Sequence, residues 1–196
     1  MNTLKAEKRS LDVKAKRLRR EGYVVGNVFG REMKESIPVK MVKRDVEKLL
    51  KTDHKGSQIM LDVDGTAYDV LIKNVDYNPV AGQIDSIEFQ ALVSNEKVHS
   101  VAEIIFENHD KVEAGVLQEV LKEVSYRALP AALVEKVKVD VGEMEIGDTI
   151  RVKDLSIAKD KDVDILTDLE AVVATVTAVH NNVPETDEEA YAEEAK

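Results

Sequence analysis

Alternating apolar and polar positions divide the first half of the chain into short strands. Tyr23–Phe29 is a β-branched, apolar run between two glycines, which predicts a strand bounded by turns. An Asp-Gly pair at Asp64–Gly65 separates two apolar runs and is a strong hairpin signal. Val42–Lys51 places its apolar residues at helical spacing and predicts an amphipathic helix. The remaining strands are predicted at Ile37–Met41, Gln58–Val63, Thr66–Ile72, Val75–Pro79 and Ile84–Val93.

Strands are also predicted beyond about Ser94, but the pattern of apolar residues there differs from that of the first half. Val134–Val141 alternates valines with charged residues, which is typical of a half-buried strand. Leu117–Val124 fits either an extended segment or a helical turn, and Pro130 interrupts the pattern because it cannot donate to a β-ladder. Strands are also predicted at Val101–Phe106, Val116–Val120, Glu123–Ala128, Val163–Leu166 and Ala171–Val179.

These patterns predict a mostly β fold with a few short helices. The chain has 196 residues, a length that fits one domain or two small ones. We expect a first β domain over residues 1–93, a second over residues 94–180, and an acidic tail over residues 181–196. The tail has too few apolar residues to offset its ordering entropy, so we expect it to be disordered.

The composition excludes several classes of protein. Because the chain contains no cysteine, disulfides and thiolate metal sites are excluded. The charged start of the chain lacks the apolar stretch of a secretory signal, and no apolar run approaches the roughly 20 residues that cross a bilayer. We therefore expect a cytoplasmic protein without a membrane partner.

Charge is distributed unevenly along the chain. The net charge is −10, yet residues 1–55 carry 16 Lys and Arg against 8 Asp and Glu. Residues 93–196 carry 11 Lys and Arg against 24 Asp and Glu. A basic N-terminal part and an acidic C-terminal part predict that only the N-terminal part binds a polyanionic partner.

The residue patterns that support catalysis are missing from the sequence. The four histidines lack zinc-like spacing, and there is no phosphate-binding glycine loop, dinucleotide fingerprint, hydrolase motif or zinc-protease motif. Asp62–Gly65 resembles the start of a calcium loop but lacks its later ligands, so a hairpin turn is favoured. We expect a protein that is not an enzyme and that uses no cofactor and no metal.

The sharpest chemical feature is a basic segment at Lys14–Arg20. A helix face exposed to solvent would explain these cations, and so would a segment that contacts phosphates. Arginine favours the second interpretation because its guanidinium binds phosphate and guanine edges through two hydrogen bonds. The cations of the basic segment are Lys14, Lys16, Arg17, Arg19 and Arg20, grouped around Leu18.

Several segments, taken in order, resemble one ribosomal protein family. They are Ala6–Arg9 (AEKR), Lys16–Gly30 (KRLRREGYVVGNVFG), Tyr68–Pro79 (YDVLIKNVDYNP), Ile87–Leu92 (IEFQAL), RALPAALVEKVKVDV around Leu129–Pro130, and Ile146–Leu155 (IGDTIRVKDL). Together they span about residues 4–180. Their order resembles the long, general stress protein (Ctc) form of the ribosomal protein numbered twenty-five in the bacterial large subunit.

This resemblance implies both a fold and an RNA partner. The first domain would be a six-stranded, barrel-like unit that binds 5S rRNA at its loop E region within the 50S subunit. Arg9, and Lys16, Arg17 and Arg19 of the basic segment, match basic positions that contact RNA in the family. The resemblance also implies a second β domain, whose acidity suggests a protein partner rather than phosphate.

Four further positions match RNA-contacting positions of the family but carry different residues. Phe29 stands in place of a tyrosine and Asp76 in place of a glutamine. Ser86 and Glu88 stand in place of a histidine and an aspartate. An ionised Asp76 only accepts hydrogen bonds and would repel phosphate, whereas glutamine both donates and accepts.

Two functions fit these observations. The first is a 5S rRNA-binding ribosomal protein with a stress-related role. The second is a divergent paralogue that keeps the fold, has lost tight 5S rRNA binding, and acts as a protein-interaction module. The intact basic segment favours the first function, because phosphate contacts supply much of the affinity for nucleic acid.

Overall fold

A computed structural model of the chain describes residues 2–111 and 115–178. The first half contains six strands: β1 (Thr3–Lys8), β2 (Tyr23–Phe29), β3 (Ile37–Val42), β4 (Gln58–Val63), β5 (Thr66–Asn78) and β6 (Gln83–Ala91). Two short helices accompany them, α1 (Ala15–Arg20) and α2 (Lys43–Leu49). The expected tail at 181–196 lies outside the described residues.

The six strands close into a barrel in the order β1-β3-β2-β6-β5-β4. Successive side chains of a strand point to opposite faces, so every second one lies inside the barrel. On β4 these inward residues are Ile59, Leu61 and Val63, and all three are buried. Two neighbouring pairs, β2 with β6 and β1 with β4, are parallel, and the other neighbours are antiparallel. The barrel implied by the resemblance is therefore confirmed.

Gly26 allows the close approach of β2 to β6. A Cβ atom at this position would lie 2.8 Å from the Ile87 carbonyl oxygen and 2.9 Å from the Met41 Cε. Both neighbours belong to the barrel core, and Ile87 is completely buried. β2 and β6 can pack this closely only because residue 26 is a glycine and has no Cβ atom.

The second half forms two smaller sheets. A four-stranded sheet has the order β10-β7-β9-β12, and a three-stranded sheet has the order β11-β13-β8. The strands are β7 (Val98–Glu107), β8 (Val116–Glu119), β9 (Glu123–Ala128), β10 (Lys136–Asp140), β11 (Thr149–Arg151), β12 (Val163–Ile165) and β13 (Val172–Thr177). Short 3₁₀ turns occupy His109–Lys111, Pro130–Ala132, Val152–Asp154 and Ser156–Lys159. This arrangement confirms the mostly β fold class.

Tyr126 is the largest fully buried side chain of the second half. Its hydroxyl donates to the Val134 carbonyl at 2.9 Å and accepts from the Val134 N–H at 2.8 Å. Burial raises the pKa of Tyr126 above its usual value, since the phenolate would lose its hydration. The phenol thus fixes the segment that leads into β10.

Several elements differ from the sequence prediction for identifiable reasons. β1 was not predicted, because only Leu4 and Ala6 alternate with its charged residues. The two strands predicted at Thr66–Ile72 and Val75–Pro79 are one strand, β5, with a register shift between Ile72 and Asn74 that breaks the apolar pattern. Of the two alternatives for residues 117–124, the extended one occurs.

Each half encloses its own hydrophobic cluster. The first cluster includes core residues from Leu4 to Phe89, and the second includes core residues from Ala102 to Val173. The last barrel strand ends at Ala91 and β7 begins at Val98. A domain boundary at residues 93 and 94 is consistent with this division and stays a prediction.

Polar contacts join the barrel to the second half. The Lys73 ammonium donates to the His99 carbonyl at 2.8 Å, and the Ser100 hydroxyl donates to the Gly56 carbonyl at 3.4 Å. Partial burial, together with the charge of nearby Lys55, lowers the pKa of Lys73. At this junction Gly56 adopts φ +92°, and a Cβ there would lie 2.0 Å from the Val101 carbonyl oxygen.

Replacing Gly56 with alanine should therefore weaken the junction. The left-handed backbone costs about 1–2 kcal/mol for a residue with a Cβ, and the clash with Val101 adds about 1–3 kcal/mol. Gly65→Ala is the matched control, because Gly65 has φ +88° but a Cβ there would meet nothing within 4 Å. Thermal unfolding should show a clearly larger loss for Gly56→Ala, and equal losses would contradict this account.

Candidate RNA-binding surface

α1 carries the basic segment and is held to the barrel by one apolar residue. Leu18 is the buried residue of this helix, and α1 packs against β2. Gly22, at φ +88°, ends the helix in the left-handed conformation that glycine adopts without steric cost. The three arginines lie in the last turn, where positive charge is favourable beside the carbonyl end of the helix.

The structure divides the cations of the basic segment into two groups. Arg17 forms an ion pair with Glu21 at 2.9 Å. Arg19 donates from Nε to the Asp85 carbonyl at 3.0 Å and lies 3.5 Å from the Asp85 carboxylate. The others, Lys14, Lys16 and Arg20, are exposed and form no ion pair with any residue in the described ranges.

Arg9, unlike these exposed cations, is partly buried. Its Nη2 donates to the Val13 carbonyl at 3.1 Å, and its backbone N–H donates to the Pro38 carbonyl at 2.9 Å. Its Nε is buried and has no hydrogen-bond partner among the described residues. Arg9 therefore stabilises the loop between β1 and α1 as well as being a candidate contact for RNA.

The four substituted positions lie on the outward face of the barrel. Val28 and Phe89 mark the inward side of the paired strands β2 and β6, so Phe29, Ser86 and Glu88 point outward. On β5, Asp76 lies opposite Ser86. The structure thus brings these positions onto three adjacent strands, beside the helix that carries the basic segment.

Asp76 and Ser86 are joined directly. The Ser86 hydroxyl donates to one carboxylate oxygen of Asp76, and the Asn74 side-chain amide donates to the other at 3.0 Å. Two donors already satisfy this carboxylate, which fixes its orientation on the surface. The pair presents a negative charge close to the strand that holds Glu88.

The same face carries amide side chains that the sequence reasoning missed. Asn27 and Asn74 lie opposite Glu88 on the two neighbouring strands, and Gln90 lies opposite Phe29. Amides both donate and accept hydrogen bonds, as base-edge recognition requires. Strict alternation along β2 and β6 was the signal that could have identified Asn27 and Gln90.

Lys40 adds a cation at the edge of this face. Its ammonium lies 2.8 Å from the Glu7 carboxylate and 5.0 Å from the centre of the Tyr23 ring. The hydrogen bond from Lys40 to Glu7 is the main cause that raises the pKa of Lys40. This cation is held by its own neighbours, unlike the exposed cations of α1.

Residues 2–111 and 115–178 contain neither a candidate metal site nor a membrane-spanning helix. Within these ranges, no three His, Cys, Asp or Glu side chains come together as a metal site. The helices described there are all too short or too polar to cross a membrane.

Arg19 should matter for stability more than its neighbour Arg20. Arg19→Ala removes the contacts of α1 with Asp85 and should cost about 1 kcal/mol, because the pair is partly exposed to solvent. Arg20→Ala removes an exposed side chain and should change stability little. Urea unfolding of both variants tests this, and an equal midpoint would show that Arg19 does not hold α1.

Comparison with known proteins gives matches along most of the chain. The Ribosomal L25p family matches residues 4–89, and the family described as "Ribosomal protein TL5, C-terminal domain" matches residues 97–180. The protein named large ribosomal subunit protein bL25 from Caldanaerobacter subterraneus subsp. tengcongensis is 30% identical over 95% of this chain and 94% of its own length. Its namesake from Carboxydothermus hydrogenoformans is 32% identical over 88% of this chain and 86% of its own length.

These matches confirm the family that the order of motifs predicted. A protein with the same name from Caldicellulosiruptor saccharolyticus is 32% identical over 92% of this chain and 86% of its own length. The family consists of structural, cytoplasmic components of the ribosome, which agrees with the expectation of a protein that is not an enzyme. The chain belongs to the bL25 family of large ribosomal subunit proteins.

Proposed function

We propose that the protein binds 5S rRNA within the large ribosomal subunit and that α1 supplies the phosphate contacts. The observation that carries this proposal is the exposure of Lys14, Lys16 and Arg20 without an ion pair in the described part of the chain. Such cations can meet phosphates without first breaking an intramolecular bond. Each phosphate contact also releases counterions, which makes the affinity depend on salt.

The outward barrel face is the proposed source of sequence recognition. Gln90 lies opposite Phe29, whose ring can stack on a base or pack against ribose, and Asn27 and Asn74 flank Glu88 on the same face. Phosphate contacts position a protein on RNA, whereas contacts with base edges specify the site. A cationic helix beside a face rich in amides supplies both kinds of contact.

Removing the three exposed, unpaired cations of the basic segment should weaken RNA binding. We expect Lys14→Ala/Lys16→Ala/Arg20→Ala to lower the affinity for a 5S loop E fragment and to reduce the salt slope by about 2–3. Fluorescence titration at several salt concentrations measures both quantities. The matched control is Lys136→Ala/Lys159→Ala/Lys161→Ala, which removes three exposed cations from the second half. A wild-type protein that does not bind at low salt would refute the proposal.

The second candidate function is that of a protein-interaction module. In that case the protein is a divergent family member that keeps the fold but does not bind 5S rRNA tightly. The Asp76 carboxylate favours it, because Ser86 and Asn74 hold a negative charge on the proposed RNA face. Stoichiometric sedimentation of the protein with 50S subunits would exclude this function. The stress-related role stays a prediction that these contacts do not address.

Asp76→Asn tests the effect of this charge on RNA binding. The amide keeps the shape of the side chain and an acceptor for Ser86, while the repulsion of phosphate disappears. We expect roughly threefold tighter binding to the loop E fragment, since a surface charge contributes less than about 1 kcal/mol. Glu143→Gln, a loss of one exposed negative charge in the second half, is the control. Unchanged or weaker binding by Asp76→Asn would show that the carboxylate does not repel the RNA.

We also propose a protein partner for the acidic second domain. Val116 and Val120 at the edge of the three-stranded sheet, together with Ile146, are about half exposed. Apolar side chains beside carboxylates are more suitable for a protein surface than for phosphate. Cross-linking of the protein within 50S subunits would identify that partner.

A further inference from the structure

We propose that α2 forms a second phosphate-binding surface, continuous with α1, that contacts the backbone of the same rRNA. This inference rests on the proposed RNA binding and extends it to residues outside the basic segment. The cations involved are Arg44, Lys48 and Lys51, which follow one another at helical spacing. We refer to these three residues as the α2 stripe.

The spacing places the α2 stripe on the solvent side of the helix. Residues separated by three or four positions share one helix face, so the three cations line up. Val46 and Leu49 are buried on the opposite face and anchor α2 to the barrel. Arg44 and Lys48 lie one helical turn apart, about 6 Å along the axis, and Lys51 follows in the turn just after α2 ends. A nucleic-acid duplex carries several phosphates over such a distance.

The side chains of the α2 stripe are available to a ligand. They line a groove of about 620 Å³ that is also lined by Leu50, Ile84 and the two carboxylates of Asp45 and Glu47. In the part of the chain described by the structure, these three cations form no ion pair. The nearby Glu47 carboxylate is instead 3.7 Å from Lys43.

Carboxylates of the protein bind several cations of the second half, whereas Lys136, Lys159 and Lys161 are exposed without an ion pair in the described residues but do not lie along one helix. Asp164 binds both Lys97 at 2.8 Å and Arg127 at 3.3 Å, and these hydrogen bonds lower the pKa of Asp164. Glu170 likewise binds Arg151 and Lys153. The chain has 38 Asp and Glu against 28 Lys and Arg, so carboxylates are not scarce. Three unpaired cations aligned at helical spacing on the surface of such an acidic protein favour a polyanion as their partner.

The two helices lie next to each other, so one RNA molecule can reach both. The first N–H of α2, from Lys43, donates to the Gly22 carbonyl at the end of α1 at 3.0 Å. Ile84 lines the groove of the α2 stripe, and its chain neighbour Asp85 accepts the hydrogen bond from Arg19 of α1. The end of α1 therefore meets the start of α2 at this end of the barrel.

The test compares Arg44→Ala/Lys48→Ala/Lys51→Ala with the wild-type protein and with Lys136→Ala/Lys159→Ala/Lys161→Ala. The probes are full-length 5S rRNA and the loop E fragment, titrated at several salt concentrations. For full-length 5S rRNA we expect roughly tenfold weaker binding and a salt slope smaller by about 2–3. The control should match the wild-type protein. Thermal unfolding checks that the exposed substitutions leave the fold intact.

The outcomes separate this inference from the proposed function. If the wild-type protein does not bind 5S rRNA, the proposed function fails and the inference fails with it. If the wild-type protein binds and the α2 variant has the same affinity and salt slope, only the inference is overturned. A variant with normal RNA binding but reduced occupancy on 50S subunits would also overturn it, and would assign the α2 stripe to a protein partner.

Discussion

The close approach of β2 to β6 is the constraint on which the candidate RNA surface depends. These parallel strands are neighbours in the barrel, and Gly26 leaves the space that their contact needs. Their register places Phe29 beside Gln90, and Asn27 beside Glu88, on one outward face. The same pairing brings Asp85 to α1, where Arg19 binds it. A displaced β2 would separate the basic helix from the face that carries the amides.

The second organising feature is the difference between paired and unpaired cations. In the second half, Asp164 and Glu170 each bind two cations, so the charge of those four cations is neutralised within the fold. At one end of the barrel, where the end of α1 meets the start of α2, the basic segment and the α2 stripe present exposed cations without ion pairs in the described ranges. A protein with a net charge of −10 can therefore present a local surface suited to a polyanion.

Strands with strong alternation or clear turn signals were predictable from the sequence. β2 and β4 were predicted with their observed bounds, because glycines or an Asp-Gly turn delimit their apolar runs. β5 was not predictable as one strand, because the register shift after Ile72 moves the apolar positions out of phase. β1 was missed because a strand closing a barrel needs only a few inward side chains.

The sequence by itself determined the family, the fold class and the location of the cations. Composition, local periodicity and motif order are properties of the chain, and they do not require knowledge of contacts. Only the tertiary structure decided which cations are paired, since Arg19 meets Asp85 across 66 residues of sequence. It also decided that Asp76 and Ser86 form one hydrogen-bonded pair and that α2 lies beside α1. Barrel closure creates these contacts, and strand register is set by packing over long sequence distances rather than by local pattern.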